Sequence, residues 1–246
     1  MQRSRLGSGA QYREKVFRTA LLALALPALF ACSSHSTKDS SAASTGPSTS
    51  RDSAGSEAVV RQPQQLTGTQ LEDTLPTSGD MSAIFSRTQE SQSGRDYASF
   101  LCGADVDHPD RRNAEAKVGY VAQVGFSATR YSFGISQFDS PAVAVEQIQA
   151  LGDAIDACTT FTANGDTYTV APLSAPRSDE DTIAVQATTK SAGFAVDVSM
   201  LMVRTGSSLV ASLSSTVGLA EGSTVDDLVR LSKATVGRYE AAAGIA

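Results

Sequence analysis

The chain has 246 residues, of which 41% are hydrophobic and 19% charged, so it has the composition of a globular protein with a sizeable core. This composition excludes collagen-like, wholly disordered and polytopic membrane proteins. Residues 32–246 carry 15 basic and 25 acidic side chains, a formal charge of −10, and the whole chain carries −6. A chain this acidic has no electrostatic basis for binding nucleic acid or anionic lipid headgroups.

The N-terminal residues have the pattern of an export signal. A basic stretch ends at Arg18, and the apolar run of residues 19–31 that follows is too short to cross a bilayer as a helix. The run ends in Leu29-Phe30-Ala31-Cys32, which resembles the bacterial lipobox, in which the Cys thiol is acylated and becomes the first mature residue. We therefore predict a lipoprotein signal peptide over residues 1–31 and lipidation of Cys32 by fatty acyl groups such as palmitate, which would hold the chain to the extracytoplasmic face of the cell membrane. An ordinary secretory signal is the alternative.

The segment after Cys32 is rich in hydroxyl side chains. Of residues 33–56, 13 of 24 are Ser or Thr. Such a segment cannot bury enough apolar surface to offset the entropy of ordering it. We predict a flexible tether over residues 32–63, with His35 in solvent, and a single folded domain over residues 64–246.

The folded part begins with a short predicted helix near residues 66–75, which Pro76 ends. Residues 76–117 are polar and irregular, and the periodicity then changes to two. Residues 118–126 and 131–135 alternate as two strands, which predicts a hairpin with its link at residues 127–129. Asp139-Ser140-Pro141 opens a helix whose apolar stripe continues to Cys158.

Four further strands and a last helix complete the prediction. The strands are expected at residues 167–171, 182–189, 194–203 and 207–215, and the helix begins near Ser223. The element order is α-β-β-α-β-β-β-β-α. Hairpin-linked strands with few helices between them favour the α+β class, here an antiparallel sheet of about six strands with helices packed on one face.

The cysteine count agrees with export. If Cys32 is acylated, Cys102 and Cys158 remain as two thiols in an oxidising compartment. We expect them to form a disulfide, which would join the irregular segment to the first long helix.

Catalytic patterns are absent from the sequence. Gly134-x-Ser136 lacks the second glycine of a nucleophile elbow, and no phosphate-binding glycine loop occurs. The sequence therefore predicts no catalytic residue, cofactor or metal. Asp105, Asp107, His108 and Asp110 form the one cluster to examine for a cation, although a solvated acidic loop is the favoured interpretation because the calcium-loop spacing is missing.

Four aromatic residues are concentrated on the predicted hairpin: Tyr120, Phe126, Tyr131 and Phe133. The favoured interpretation is that they cover the sheet beneath the helices. The alternative is that part of this face stays open as an apolar groove, and in that case these four residues would be the ligand-binding set.

Four short motifs follow one another in a familiar order. They are Leu66-Thr-x-x-Gln-Leu71, Cys102-Gly-Ala, Asp156-Ala-Cys158-Thr-Thr-Phe161 and Met202-Val-Arg204-Thr-Gly206-Ser-Ser-Leu209. In this order they resemble the PknH-like extracellular sensor domain, a family found on actinobacterial receptor Ser/Thr kinases and on stand-alone lipoproteins. The resemblance covers about residues 64–242.

The resemblance implies an α+β domain with an antiparallel sheet, a ligand-binding cleft and no enzymatic activity. The family member on the kinase uses two disulfides, whereas this chain can form only the pair matching Cys102 and Cys158. The functional hypothesis is a lipid-anchored sensor-like domain that binds a small molecule, an envelope ligand or a partner. A carrier of a hydrophobic lipid or glycolipid, an envelope-acting enzyme and a docking adaptor are the alternatives.

Overall fold

The computed structural model describes residues 64–88, 102, 109–163, 165–173, 181–218 and 224–245. Three α-helices lie in these ranges: α1 (Gly68–Thr74), α2 (Pro141–Asp156) and α3 (Thr224–Ala243). The strands are β1 (Ser86–Thr88), β2 (Arg112–Val124), β3 (Ser127–Phe138), β4 (Thr160–Ala163), β5 (Asp166–Pro172), β6 (Thr182–Ser191), β7 (Phe194–Thr205) and β8 (Ser208–Val217). A 3-10 turn, Pro109–Arg111, precedes β2.

The described strands form one antiparallel sheet in the order β1-β2-β3-β8-β7-β6-β5-β4. The α+β class and the antiparallel sheet are confirmed, but the sheet has eight strands where six were predicted. The two additional strands are β1 and β4, which are three and four residues long. Strands this short show too few alternations to be recognised from periodicity.

The helices pack on both faces of the sheet, which differs from the one-face arrangement that the sequence predicted. In β7, Met200 and Met202 pack with α2, while Leu201 between them packs with α1 and α3 on the opposite face. Helix α2 thus covers one face of the sheet, and helices α1 and α3 cover the other face. The central strands are buried on both sides, as in a three-layer fold.

Local signals explain where the first two helices begin. The side chain of Thr67 accepts from the backbone of Gln70, and the Gln70 side chain accepts from the Thr67 N–H, which is a capping box. Helix α2 starts with Pro141 after Ser140, as predicted. Cys158 was predicted at the end of this helix on its buried face, but α2 ends at Asp156, so Cys158 follows the helix and is half-buried.

The predicted hairpin of β2 and β3 is confirmed, but its turn lies earlier than expected. Val124 pairs with Ser127, so the turn is Gly125–Phe126 and residues 127–129 belong to β3. Gly125 has φ +61°, a conformation that glycine adopts without steric cost. Strand β2 also begins at Arg112, inside the segment predicted to be irregular.

Hydrogen bonds hold the first described residues to the end of β3 and to the end of α3. The buried amide of Gln137 accepts from the Leu66 N–H at 3.0 Å and donates to the Leu66 carbonyl at 3.1 Å. The N–H of Gln64 donates to the carbonyl of Ala243 at 3.0 Å. The chain therefore enters the fold at the end of the sheet where β3 finishes.

Candidate functional site

Three of the four hairpin aromatics lie in the core beneath α3. Tyr120, Tyr131 and Phe133 are at most 2% exposed and belong to the cluster that α1 and α3 cover. The Tyr131 ring stacks on Phe133 at a centroid distance of 6.1 Å and contacts Phe85 at 5.3 Å. This placement matches the favoured interpretation of the sequence, in which the aromatic set covers the sheet beneath a helix.

The hydroxyls of the buried tyrosines serve packing and hydrogen bonding. The Tyr120 hydroxyl donates to the Pro76 carbonyl at 2.7 Å. Burial raises the pKa of Tyr120, and it raises the pKa of Tyr131 to about 12, because desolvation penalises the phenolate. Both groups are therefore neutral at physiological pH and are poorly suited to act as bases.

Phe126 is the member of the aromatic set that reaches the surface. It lies in the β2–β3 turn, not on the strand face where alternation placed it, and it is 65% exposed. In this structure the four aromatic residues therefore do not line one groove. Their proposed role in ligand binding stays a prediction.

The predicted disulfide between Cys102 and Cys158 is present, with the two Cα atoms 5.8 Å apart. Both cysteines are half-buried, and Cys102 packs against the core cluster under α2. The bond joins residues separated by 56 positions. It fixes Cys102 to the segment that connects α2 to β4.

Several predicted positions lie outside the described residues. These are Cys32, His35, Asp105, Asp107 and His108. Asp110 is described and is exposed in the turn Pro109–Arg111. Among the residues that the structure describes, no three His, Cys, Asp or Glu side chains are grouped so that they could hold a metal ion.

A buried ion cluster on the α2 face of β2 was not singled out by the sequence analysis. Lys117 Nζ and Arg112 Nη1 contact the same Glu115 oxygen, at 2.7 and 2.6 Å. The side chains of Lys117 and Arg112 are 5% and 8% exposed. Gly134 on β3 lies against Lys117, since a Cβ there would be 3.4 Å from Lys117 Cγ. Alternation on β2 could have indicated this cluster, because it places Glu115 and Lys117 opposite the apolar series.

A second missed feature is the polar interior between β8 and α3. Ser208, Ser212 and Ser214 alternate along β8 and are all buried on the face that α3 covers. The Ser208 hydroxyl bonds to the Tyr239 hydroxyl at 2.7 Å, whereas the hydroxyls of Ser212 and Ser232 have no partner among the described residues. Small serines let a helix approach the sheet closely, but serine is more often exposed, so its burial is difficult to predict from sequence.

The loop after α1 is held by a network of charges and carbonyls. Arg238 on α3 donates to the Thr74 carbonyl at 2.8 Å and contacts Asp80 at 3.4 Å. The Asp80 carboxylate also accepts from the N–H and the hydroxyl of Thr77. The network ties residues 74–80 to α3 and leaves the charged groups paired.

None of the helices in the described parts of the chain is both long and apolar enough to span a membrane. No protein-family model matches the sequence, and no curated protein matches it.

Solved structures do match. The extracellular domain of PknH from Mycobacterium tuberculosis is 16% identical, with a TM-score of 0.53 over 73% of this chain and 98% of that domain. An uncharacterized protein of Mycobacterium smegmatis is 12% identical, with a TM-score of 0.44 over 69% of this chain and 95% of its own. The second score is too low to support a shared fold. The chain therefore has the fold of the PknH extracellular domain, and this likeness shows the fold alone.

Proposed function

We propose that the chain is a lipid-anchored lipoprotein on the extracytoplasmic face of the cell membrane, with a non-catalytic, sensor-like domain that binds a ligand or partner. The observation that carries the proposal is the position of Cys32, directly after a basic and apolar export signal and directly before a Ser/Thr-rich segment. Acyl chains on its thiol would bury enough CH₂ groups to anchor the chain stably.

The disulfide supports the export half of this proposal. Disulfides persist in oxidising compartments and are rare in reducing ones. The two cysteines other than Cys32, Cys102 and Cys158, are paired with each other. The fold is also that of a domain described as extracellular.

The arrangement of polar groups supports a role in binding without catalysis. The most enclosed ion pairs join acids to basic side chains, as Asp181 is joined to Arg204 and Glu115 to Lys117. The hydroxyls of Tyr131 and Tyr239 are desolvated in the core between the sheet and α3, which raises the pKa of both groups.

Metabolic labelling with an alkynyl palmitate in an actinobacterial host tests the anchor. We expect label and membrane fractionation for the wild-type chain and for Ser34→Ala, and no label for Cys32→Ser, because the acylated thiol is removed. Globomycin, which blocks lipoprotein signal peptidase, should leave the precursor uncleaved. A mature wild-type chain that carries no label and starts at a residue other than Cys32 would contradict the proposal.

Native mass spectrometry of protein purified from its own host tests the binding half. We expect an added mass that is lost on denaturation, from a small molecule or envelope component. A bound apolar lipid would favour the carrier alternative. A spectrum with the protein mass alone, together with no partner after cross-linking in cells, would count against a binding role.

A further inference from the structure

The described residues expose three large hydrophobic side chains, and the strand register places all three toward one end of the sheet. Ile84, Val124 and Phe126 are 60%, 64% and 65% exposed. We name these residues the apolar tip. Isolated exposed hydrophobic residues need no explanation, but a group at one end of a sheet marks a contact surface.

The strand register places the apolar tip at the end of the sheet away from the entry of the chain. Val124 is the last residue of β2, and Phe126 is in the turn that follows. Ser86 of β1 pairs with Val121, so Ile84, two residues earlier, lies on the same side toward the turn. The three side chains therefore project from neighbouring segments at one end.

The two segments that form the tip carry no charge. Residues 81–86 and 119–129 contain no Asp, Glu, Lys or Arg, and Arg87 and Arg130 follow them directly. Shallow insertion of these two segments themselves buries no charged side chain, and burial of a charge is the largest cost of such a transfer. The hydrophobic surface of the tip is thus available at low cost.

The turn that carries Phe126 is held against the end of β8. Gly218 has φ +87°, and a Cβ at this position would be 2.9 Å from Ser127 Oγ and 3.1 Å from the Phe126 carbonyl. The N–H of Gly218 donates to the Ala195 carbonyl at 2.9 Å. This close packing fixes the backbone of Phe126 before the tip meets a bilayer, so little backbone entropy is lost on insertion.

We propose that the apolar tip inserts into the interface of the bilayer to which the chain is anchored. This inference rests on the proposed acylation of Cys32. An anchored chain meets its own bilayer at a high effective concentration, so a contact too weak to recruit a free protein is sufficient. The excess of acidic residues disfavours anionic surfaces, so the lipid partner is a neutral, zwitterionic one.

The length of chain before the fold permits this contact. Leu66 is fixed to Gln137, which lies ten residues along β3 from Ser127, so the tip is roughly 33 Å from the chain entry. Cys32 and Gln64 are separated by 32 positions, and a chain of that length spans up to about 110 Å when extended. The anchored domain can therefore turn its far end to the bilayer.

The absence of tryptophan from the chain allows a clean test. The mature chain with Cys32→Ser and an N-terminal histidine tag is held on phosphatidylcholine vesicles that contain nickel-chelating lipid. Phe126→Trp provides a single reporter at the tip, and Ala242→Trp, exposed near the chain entry, provides the matched control. We expect brominated acyl chains to quench the Phe126→Trp emission at least two-fold and to leave the Ala242→Trp emission unchanged.

A second variant ties the effect to the apolar tip. Adding Ile84→Ser and Val124→Ser to Phe126→Trp should reduce the quenching by half or more. Equal quenching of the Phe126→Trp and Ala242→Trp variants overturns the proposal. A blue shift of the Phe126→Trp emission without quenching also overturns it, because it would show that protein, such as a second copy, covers the tip. The histidine tag replaces the acyl anchor, so a failure of acylation at Cys32 leaves this readout unchanged and is detected separately by the palmitate label.

Discussion

Ser208 and Ser212 lie on the same strand, face the same helix and are both fully buried, yet only one of the two hydroxyls is bonded within the described residues. A buried hydroxyl without a partner costs about 1–3 kcal/mol of desolvation, while a bonded one contributes about 1 kcal/mol. The pair therefore provides an internal comparison in one environment.

We expect Ser212→Ala to raise the free energy of unfolding by about 1 kcal/mol, because the unpaired oxygen is removed at little change in volume. Ser208→Ala should lower it by about 1 kcal/mol, because the Tyr239 hydroxyl loses its partner. Urea denaturation of both variants checks the signs. A loss of stability in Ser212→Ala as large as that in Ser208→Ala would show that the hydroxyl is satisfied in solution.

Single residues differ in how well the sequence predicted them. The burial of Tyr120, Tyr131 and Phe133 follows from alternation, and the pairing of Cys102 with Cys158 follows from the cysteine count. Phe126 was placed on a strand because alternation does not show where a strand stops. Gly125 carried the signal for the turn, since glycine has no Cβ and adopts a positive φ without steric cost.

At the scale of elements, Asp80 in the loop between α1 and β1 should make the free energy of unfolding depend on pH. The backbone N–H of Thr77 lowers the pKa of Asp80, burial raises it, and the Thr77 hydroxyl and Arg238 lower it further, so that the net pKa lies below the usual 3.8. The folded state then binds fewer protons than the unfolded state at mildly acidic pH. The stabilisation is complete above the unfolded pKa and is lost as pH falls through the folded pKa.

Asp80→Asn should therefore lower the melting temperature at pH 7, and the difference from the wild type should shrink as the pH falls below about 4. Thermal denaturation from pH 7 to pH 2.5 measures this. Asp73→Asn, which removes an exposed carboxylate on α1, serves as the control for the loss of one negative charge. A gap between Asp80→Asn and wild type that is constant with pH would contradict the assigned role of the carboxylate.

Elements with several alternations were predicted well, whereas the two short strands and the placement of helices on two faces were not. Strands β5 to β8 were located within about two residues of their bounds, as is usual for strongly periodic segments. The division of the helices between two faces was missed, although residues 200–203 of β7 form an unbroken apolar run. Such a run indicates a strand buried on both sides, which requires cover on both.

At the scale of the whole molecule, the disulfide should act chiefly on the unfolded chain. It closes a loop of 56 residues, for which the chain-entropy model gives about 4 kcal/mol. We expect Cys102→Ser with Cys158→Ser to lower the free energy of unfolding by about this amount in urea denaturation.

Reduction provides the control for this prediction. Dithiothreitol should bring the wild-type chain to the stability of the double variant and should leave the double variant unchanged. If the double variant is as stable as the oxidised wild type, then the bond does not constrain the unfolded ensemble.

The proposed localisation depends on sequence more than on fold, because the residues that argue for it precede Gln64. The fold shows helices on both faces of one open antiparallel sheet, and the described residues bring no metal-binding group together. The identity of a ligand does not follow from the sequence, since three of the four aromatic residues that suggested a groove, Tyr120, Tyr131 and Phe133, fill the core.

The hydrogen bond between Gln64 and Ala243 brings the first and last turns of the folded unit side by side. A reporter or second domain fused after residue 246 would therefore be attached near Gln64, where the chain enters the fold. It would leave the opposite end of the sheet unobstructed. The same adjacency means that a short peptide could splice residue 245 to residue 64, so that the polypeptide can be reopened at another surface turn without disturbing the sheet.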